Sequence, residues 1–311
     1  MRVAGYDILV DLGVGGMADL RVARWPTATG PAVMLKTLRP PFTEKRVAMF
    51  LEEARLGPLL DHPNLVRVLE AGERDGAHFL AMDLLDGQSL DRVLKRAAAR
   101  GSASPADPIL IWALTESLAG LHHAHEVEVE GRPLAIVHRD FSPQNVFITY
   151  EGRVKTLDFG IAKASGRLSQ TTTSGEIKGK IRYMAPEQAL ELRIDRRVDV
   201  FAAGVILHEL VSQRPFWAEG LPAQTIFDLL VGGDYSIAIE GAAASLNAVL
   251  ARSLARDPLD RYRSVDEMRV DLLAAVPPPP DPVAALSSWM SELFAGQRER
   301  LRNAIAAAAR R

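Results

Sequence analysis

The stretch VHRDFSPQNVF, residues 137–147, places an aspartate, Asp140, five positions before an asparagine, Asn145. A carboxylate can accept a proton from a hydroxyl, and a carboxamide oxygen can hold a hard cation. Eighteen residues after Asp140, LDFG (157–160) sets Asp158 behind a short apolar strand and before Phe-Gly. A carboxylate there is placed to hold a metal ion. Asp158 and Asn145 together offer the oxygen donors that Mg²⁺ prefers. The chemistry such a set would serve is phosphoryl transfer. Each residue alone could be a turn former, but the order and spacing together argue against chance.

Further upstream, LGVGGMADL (12–20) carries Gly13, Gly15 and Gly16. Backbone N–H groups without Cβ atoms around them can approach phosphates closely. Read alone, the segment is equally well a glycine-rich hairpin turn. It lies between strands, so the dinucleotide fingerprint fits poorly. VMLK (33–36) then ends an apolar strand on Lys36. A strand lysine normally faces solvent; this one gains interest only if a buried carboxylate holds it, and Glu53 in the next helix is the candidate. Downstream, RYMAPEQ (182–188), DVFAAGVILHEL (199–210) and DPLDRYRS (257–264) read as scaffold. Asp199 is expected to cap a helix and hold the 138–140 backbone from below, and Glu187 to pair with Arg261.

Elements must position these side chains. Strands are predicted within 6–38 and over 77–85, 145–149 and 153–157. Helices are predicted over 44–60, 89–99, 108–126, 186–192, 197–212, 222–232, 244–255 and 264–275, from apolar residues at helical spacing. Gly57-Pro58 should end or kink the first of these. A strand-rich first part before a larger helix-rich part gives an α+β class with two lobes. HEVEVEGRPLAIV (125–137) reads as a small surface hairpin. VPPPPDP (276–282) is a stiff linker ending in Asp281-Pro282, a good start for a helix. One amphipathic helix is predicted over about 283–309. Its apolar face, Leu286, Trp289, Met290, Leu293, Phe294, Leu301 and Ile305, either packs on the larger lobe or meets a protein partner or second copy.

The 311 residues are 48% apolar and 24% charged, with net charge −2 and no cysteine. That length allows a sizeable core and roughly two lobes. The charge gives no whole-molecule attraction to nucleic acid or an anionic membrane. Without cysteine there are no disulfides, thiolate metal sites or cysteine nucleophiles, which fits a cytoplasmic setting. Neither a secretory leader nor a membrane span is expected: VFAAGVIL (200–207) is short, flanked by Asp199, His208 and Glu209, and reads as a buried helix. With no sensor domain in sight, an input signal is expected through a separate protein or the tail.

On these motifs, residues 6–275 resemble a protein kinase of the bacterial Ser/Thr branch, including its myxobacterial-type members. The resemblance implies a bilobal fold, with an N-lobe over about 6–83, a C-lobe over about 86–275 and ATP between them; 276–282 and the tail helix, 283–311, follow. It implies that Gly13, Gly15 and Gly16 cover the phosphates. Lys36 would hold the α- and β-phosphates, oriented by Glu53, and Asp140 would take the proton of a substrate hydroxyl. Asn145 and Asp158 would bind two Mg²⁺. Met82 matches the gatekeeper. The backbone of Asp83 and Leu85 would bond adenine, and Leu12, Leu20, Met34 and Phe147 would sandwich it. Arg139 would pair with a phosphate on the activation segment, where Ser169, Thr171, Thr172, Thr173 and Ser174 are available; spacing favours Thr172 and Ser174.

Four positions depart from that pattern. Ala18 replaces the third loop glycine and Met34 an alanine, both tolerable changes. Ser142 replaces a lysine that neutralises the transferring phosphoryl group. Lys180, in GKIRYMAPE (179–187), replaces a threonine that contacts that lysine and the catalytic aspartate. Either Lys180 reaches past Ser142 and returns the missing charge to the site, or it faces solvent or the peptide substrate. The expected function is a Mg-ATP-dependent Ser/Thr protein kinase that phosphorylates its own activation loop. The alternative is a pseudokinase scaffold, motivated by Ser142 and Ala18. APE, the activation-loop hydroxyl cluster and the Asp199 helix argue against a small-molecule kinase of the antibiotic-modifying type, and the segments after Asp140 and before APE lack tyrosine-kinase features.

Overall fold

Alternation of apolar and polar residues through the first 83 positions builds one antiparallel sheet. The computed structural model describes residues 1–14, 18–25, 30–101, 106–159 and 181–309. Strands β1 (Arg2–Val3), β2 (Tyr6–Val14), β3 (Ala18–Arg24), β4 (Ala32–Leu38), β5 (Val68–Arg74) and β6 (Ala77–Asp83) lie in the order β1-β2-β3-β4-β6-β5. Side chains alternate between faces. Val33 and Leu35 of β4 join Tyr6, Phe79 and Ala81 in a core on one face. On the other face Leu38 and Leu80 meet Phe50 of helix α1 (Glu44–Leu56). Met34, Lys36 and Met82 share that second face by their spacing, and Met34 stands opposite Met82 in the register. Thr43 caps α1, its hydroxyl accepting from the N–H of Arg46 at 3.4 Å.

The helix ends where the sequence says it should: Gly57-Pro58 opens a tight 3₁₀ turn over Gly57–Leu59. Strands β1 and β5 are additions to the sequence reading. In β5, VLEAGER is half-buried along most of its length, so it carries no clean period-two signal.

The second lobe is built from β7 (Gly87–Ser89), α2 (Leu90–Ala99), α3 (Pro108–His125), the exposed hairpin β8 (Glu128–Val129) and β9 (Arg132–Pro133), β10 (Val146–Thr149) and β11 (Val154–Thr156). After them come α4 (Pro186–Ala189), α5 (Arg197–Ser212), α6 (Ala223–Gly232), α7 (Ala244–Ser253) and α8 (Val265–Ala275). A helix apolar on all sides belongs inside a core, and α3 and α5 run through the centre with most of their residues buried. Residues 200–207 are thus a core segment, and among the described residues no helix is long and apolar enough to cross a membrane. The predicted α+β architecture of two lobes is what the chain adopts.

The tail corrects one expectation. It is two helices, α9 (Pro282–Leu293) and α10 (Gln297–Ala309), rather than one. Asp281 caps α9 as predicted, accepting from the N–H of Ala284 at 3.0 Å. Leu286, Met290, Leu293 and Phe294 are all buried in the main core, so the chain itself covers this stripe. The helix ends at Phe294, whose φ of −118° is not helical, and Gly296 two residues on takes φ 80°, where a right-handed helix cannot continue.

One ion pair locks α4 to the lobe beneath it. Arg261 is 2% exposed and Glu187 5%. The guanidinium donates to both Glu187 oxygens, at 2.7 and 2.9 Å, and to the carbonyls of Ala255, Arg197 and Arg256. All five of its N–H donors are therefore used. Glu187→Gln leaves this buried cation without its counter-charge and is expected to destabilise the fold by ~3–5 kcal/mol, lowering Tm by roughly 5–15 °C. Glu52→Gln, which breaks an exposed pair with Arg55, should change stability by less than ~1 kcal/mol. Calorimetric melting of both variants checks this; equal Tm values would contradict the assignment.

Candidate active site

Three elements converge on Lys36. It projects from β4 between the lobes, and its ammonium donates to Glu53 Oε1 of α1 at 2.6 Å and to Asp158 Oδ1 at 2.8 Å. Burial would lower the ammonium's pKa, but Asp158 and Glu53 outweigh that and raise it, so Lys36 stays charged. Burial pushes the Glu53 carboxyl up while Lys36 pulls against it. The strand lysine and helix carboxylate expected to meet do meet, with Asp158 as the third member.

Asp158 sits just past β11 in the left-handed region, with φ 45°. A non-glycine residue held there stores strain that surrounding contacts must maintain. They are present: the buried ring of Phe159 lies 4.8 Å from the His138 ring, and a ring nitrogen of His138 contacts the carbonyl of Leu157 at 3.0 Å. The N–H of Leu157 in turn reaches the Asn145 carbonyl at 2.8 Å.

The loop carrying Asp140 is fixed from below. Buried Asp199 of α5 accepts from the N–H of His138 and of Arg139, each at 2.8 Å, and pairs with His125 at 2.8 Å. Burial alone would raise the Asp199 carboxyl, but the bonds from His125 and the His138 backbone hold it below the usual carboxylate range. Arg139 has φ 63°, a second strained turn at the same loop. Gln188 of α4 donates to the Arg139 carbonyl at 3.1 Å. The sequence marked Asp199 for this task; His125, Gln188 and the His138–Phe159 contact carried no spacing signal.

Asn145 donates its amide to the Asp140 carbonyl at 2.8 Å. This commits the nitrogen and presents the carbonyl oxygen as the free donor of the carboxamide. With the Asp158 carboxylate, that makes an all-oxygen pair of donors. Among the described residues no group of three or more His, Asp or Glu side chains forms a metal cage. Two protein oxygens plus substrate phosphates are the arrangement Mg²⁺ commonly takes, so the residues fit such an ion.

The remaining predicted residues divide by location. Leu12 and Gly13 end β2, Leu20 lies on β3 opposite Lys36, and Phe147 is on β10. Met82 is buried on β6, and Asp83 and Leu85 begin the connection between the lobes. Gly15, Gly16, Lys180, Ser169, Thr171, Thr172, Thr173 and Ser174 lie outside the described residues.

One positioning feature was visible in the sequence only as a helix breaker. A Cβ on Gly57 would stand 2.4 Å from Cγ2 of Val68 on β5. The missing side chain lets α1 close on the sheet until Glu53 reaches Lys36. Behind this contact is a cavity of about 30 Å³ bordered by Glu53, Val68, Met82, Asp158 and Phe159. Gly57→Ala is expected to overpack the contact at ~1–3 kcal/mol, lowering Tm and speeding amide exchange in α1. Adding Val68→Ala should recover most of the loss. If the second substitution deepens the loss instead, the contact is not the cause.

Comparison with known proteins places this geometry. Residues 6–261 match the protein kinase domain family. The chain is 40% identical, over 84% of its length, to the tyrosine-protein kinase MasK of Myxococcus xanthus, covering 41% of that protein. It is 32% identical to the serine/threonine-protein kinase Pkn1 of the same organism, over 89% of this chain and 39% of Pkn1. It thus spans about two fifths of the length of these relatives. In structure it is similar to the PknI kinase domain of Mycobacterium tuberculosis, with a TM-score of 0.63 at 24% identity, covering 88% of this chain and 98% of that one. The lysine held by two carboxylates across the lobes and the anchored HRD loop therefore sit in a chain that belongs to the protein kinase domain family.

Proposed function

We propose that the chain transfers the γ-phosphoryl group of ATP to serine or threonine hydroxyls of proteins, its own activation segment included. The observation that carries this is the Lys36–Glu53 ion pair with Asp158 beside it; transfer in this family needs that ion pair and the aspartate as a metal ligand. Family membership and the Ser/Thr kinases among the relatives support the reading.

In this reading adenine lies against Leu12, Leu20 and Met34 above and Phe147 below, bonded to the backbone of Asp83 and Leu85. Gly13, Gly15 and Gly16 cover the phosphates, and Lys36 holds the α- and β-phosphates. Asn145 and Asp158 would hold Mg²⁺, which would supply positive charge to the phosphate oxygens. Asp140 orients the acceptor hydroxyl and takes its proton. The new bond forms between that oxygen and the γ-phosphorus as the bond to the β–γ bridging oxygen breaks, and ADP leaves. Arg139 is the counter-charge for a phosphate on Thr171, Thr172, Thr173 or Ser174, which would order the segment.

Ser142 is short, and its backbone carbonyl accepts from the N–H of Asn145 at 2.9 Å, so the loop keeps its shape without a lysine. Lys180 is the proposed replacement for that charge, delivered from the activation segment. A preorganised charge of this kind contributes ~3–4 kcal/mol to barrier lowering. A second reading, tyrosine as acceptor, is favoured by one observation, the similarity to a relative named a tyrosine-protein kinase.

Incubation with labelled ATP and Mg²⁺ is expected to phosphorylate the protein, with Asp158→Ala reducing this by ~10²–10³-fold. Acid hydrolysis should release phosphoserine and phosphothreonine; phosphotyrosine alone would favour the second reading, and no label at all would leave a binding scaffold. Lys180→Met is expected to slow transfer by ~10²–10³-fold while Lys178→Met does not. Equal rates in those two variants would discard the relocated charge.

A further inference from the structure

The two tail helices are held in different ways. Helix α9 is part of the lower lobe's core. The carbonyls of Glu292 and Leu293 accept from Arg100 at 2.7 Å and Arg96 at 3.3 Å, and Ser287 donates to the Tyr150 carbonyl at 2.8 Å. A Cβ on Gly152 would stand 2.1 Å from the Val283 carbonyl oxygen, so the backbones there touch directly. Helix α10 has no such footing. No described side chain in it is buried; Leu301, Ile305 and Ala308 are half-covered. Charge holds it instead. Arg298 Nε donates to Asp86 at 2.8 Å and the same guanidinium reaches Glu151, while stacking 5.1 Å from the Tyr150 ring. Arg302 adds a contact to Asp86 at 3.0 Å.

The placement of this latch is what matters. Asp86 lies in the connection between the lobes, three residues past Asp83. Beyond it α10 runs beside β2 of the upper lobe, the strand that ends in Leu12, Gly13 and the glycine loop. A helix anchored through α9 to one lobe thus leans on the strand of the other lobe that roofs the cleft. Opening the cleft must move β2 along α10 or break the latch. We infer that α10 is a strap over the mouth of the nucleotide cleft, and that Arg298 and Arg302 are positioning residues that set how fast nucleotide leaves. The inference rests on the nucleotide-binding reading given above. Partly exposed ion pairs are individually weak and are screened by salt, so the strap can release while α9 stays docked.

Dissociation of a fluorescent ADP from the full chain, followed by stopped flow, tests this. Arg298→Ala with Arg302→Ala is expected to speed release ~3- to 10-fold, with Arg300→Ala, an exposed arginine on the same helix, unchanged. Rising salt should accelerate release more in the wild type than in the double variant, because only the wild type has a latch to screen. The KM for ATP should rise while that for an acceptor peptide stays constant, and amides of residues 6–14 should exchange faster. Equal release rates and equal salt slopes in wild type and double variant would overturn the strap alone. Failure of nucleotide to bind the wild type would overturn the nucleotide reading, and the strap with it.

Discussion

An ammonium group between two carboxylates, 2.6 Å from Glu53 and 2.8 Å from Asp158, joins a strand, a helix and a loop that are far apart in the chain. Lys36 and Glu53 would each be costly to bury alone, and Asp158, nearly half exposed, adds a second carboxylate from the cleft side. Together they satisfy the ammonium, and each fixes the others' positions. The contact holds only if α1 lies close on the sheet, which Gly57 allows, and only if Asp158 keeps its left-handed backbone, which the packing of Phe159 on His138 maintains. Much of the upper lobe is arranged around these two conditions.

The lower lobe solves a related problem with buried charge of its own. Asp199 reaches up from the central helix α5 and takes two backbone N–H groups of the loop bearing Asp140. Gln188 bonds the same loop from α4, and α4 is pinned in turn by Glu187 on Arg261. Such pairs add little net stability, because desolvation offsets attraction. Their directional bonds instead give the loop one geometry, which suits a site whose groups must stand in fixed relation.

The tail shows the same division between apolar anchoring and charged adjustment. Helix α9 buries its stripe and is committed to the core; α10 rests on arginines at the surface. A change in salt, or a competing charge, acts on the second without loosening the first.

The motifs HRDFSPQN and LDFG and the lysine of VMLK, through the family resemblance they carry, singled out Lys36, Glu53 and Asp158, which the fold brings together. Helix periods and the Gly57-Pro58 breaker likewise determined most element positions, since local backbone chemistry decides them. Other features needed the tertiary structure. The role of Gly57 depends on Val68, eleven residues on and in a strand, and the His125–Asp199 contact joins residues 74 positions apart. The meeting of Arg298 with Asp86 joins residues 212 positions apart. Sequence spacing reports what one element does along its own axis. Which distant surfaces close on each other is settled by packing, and packing is where the strap and the seat of α1 were decided.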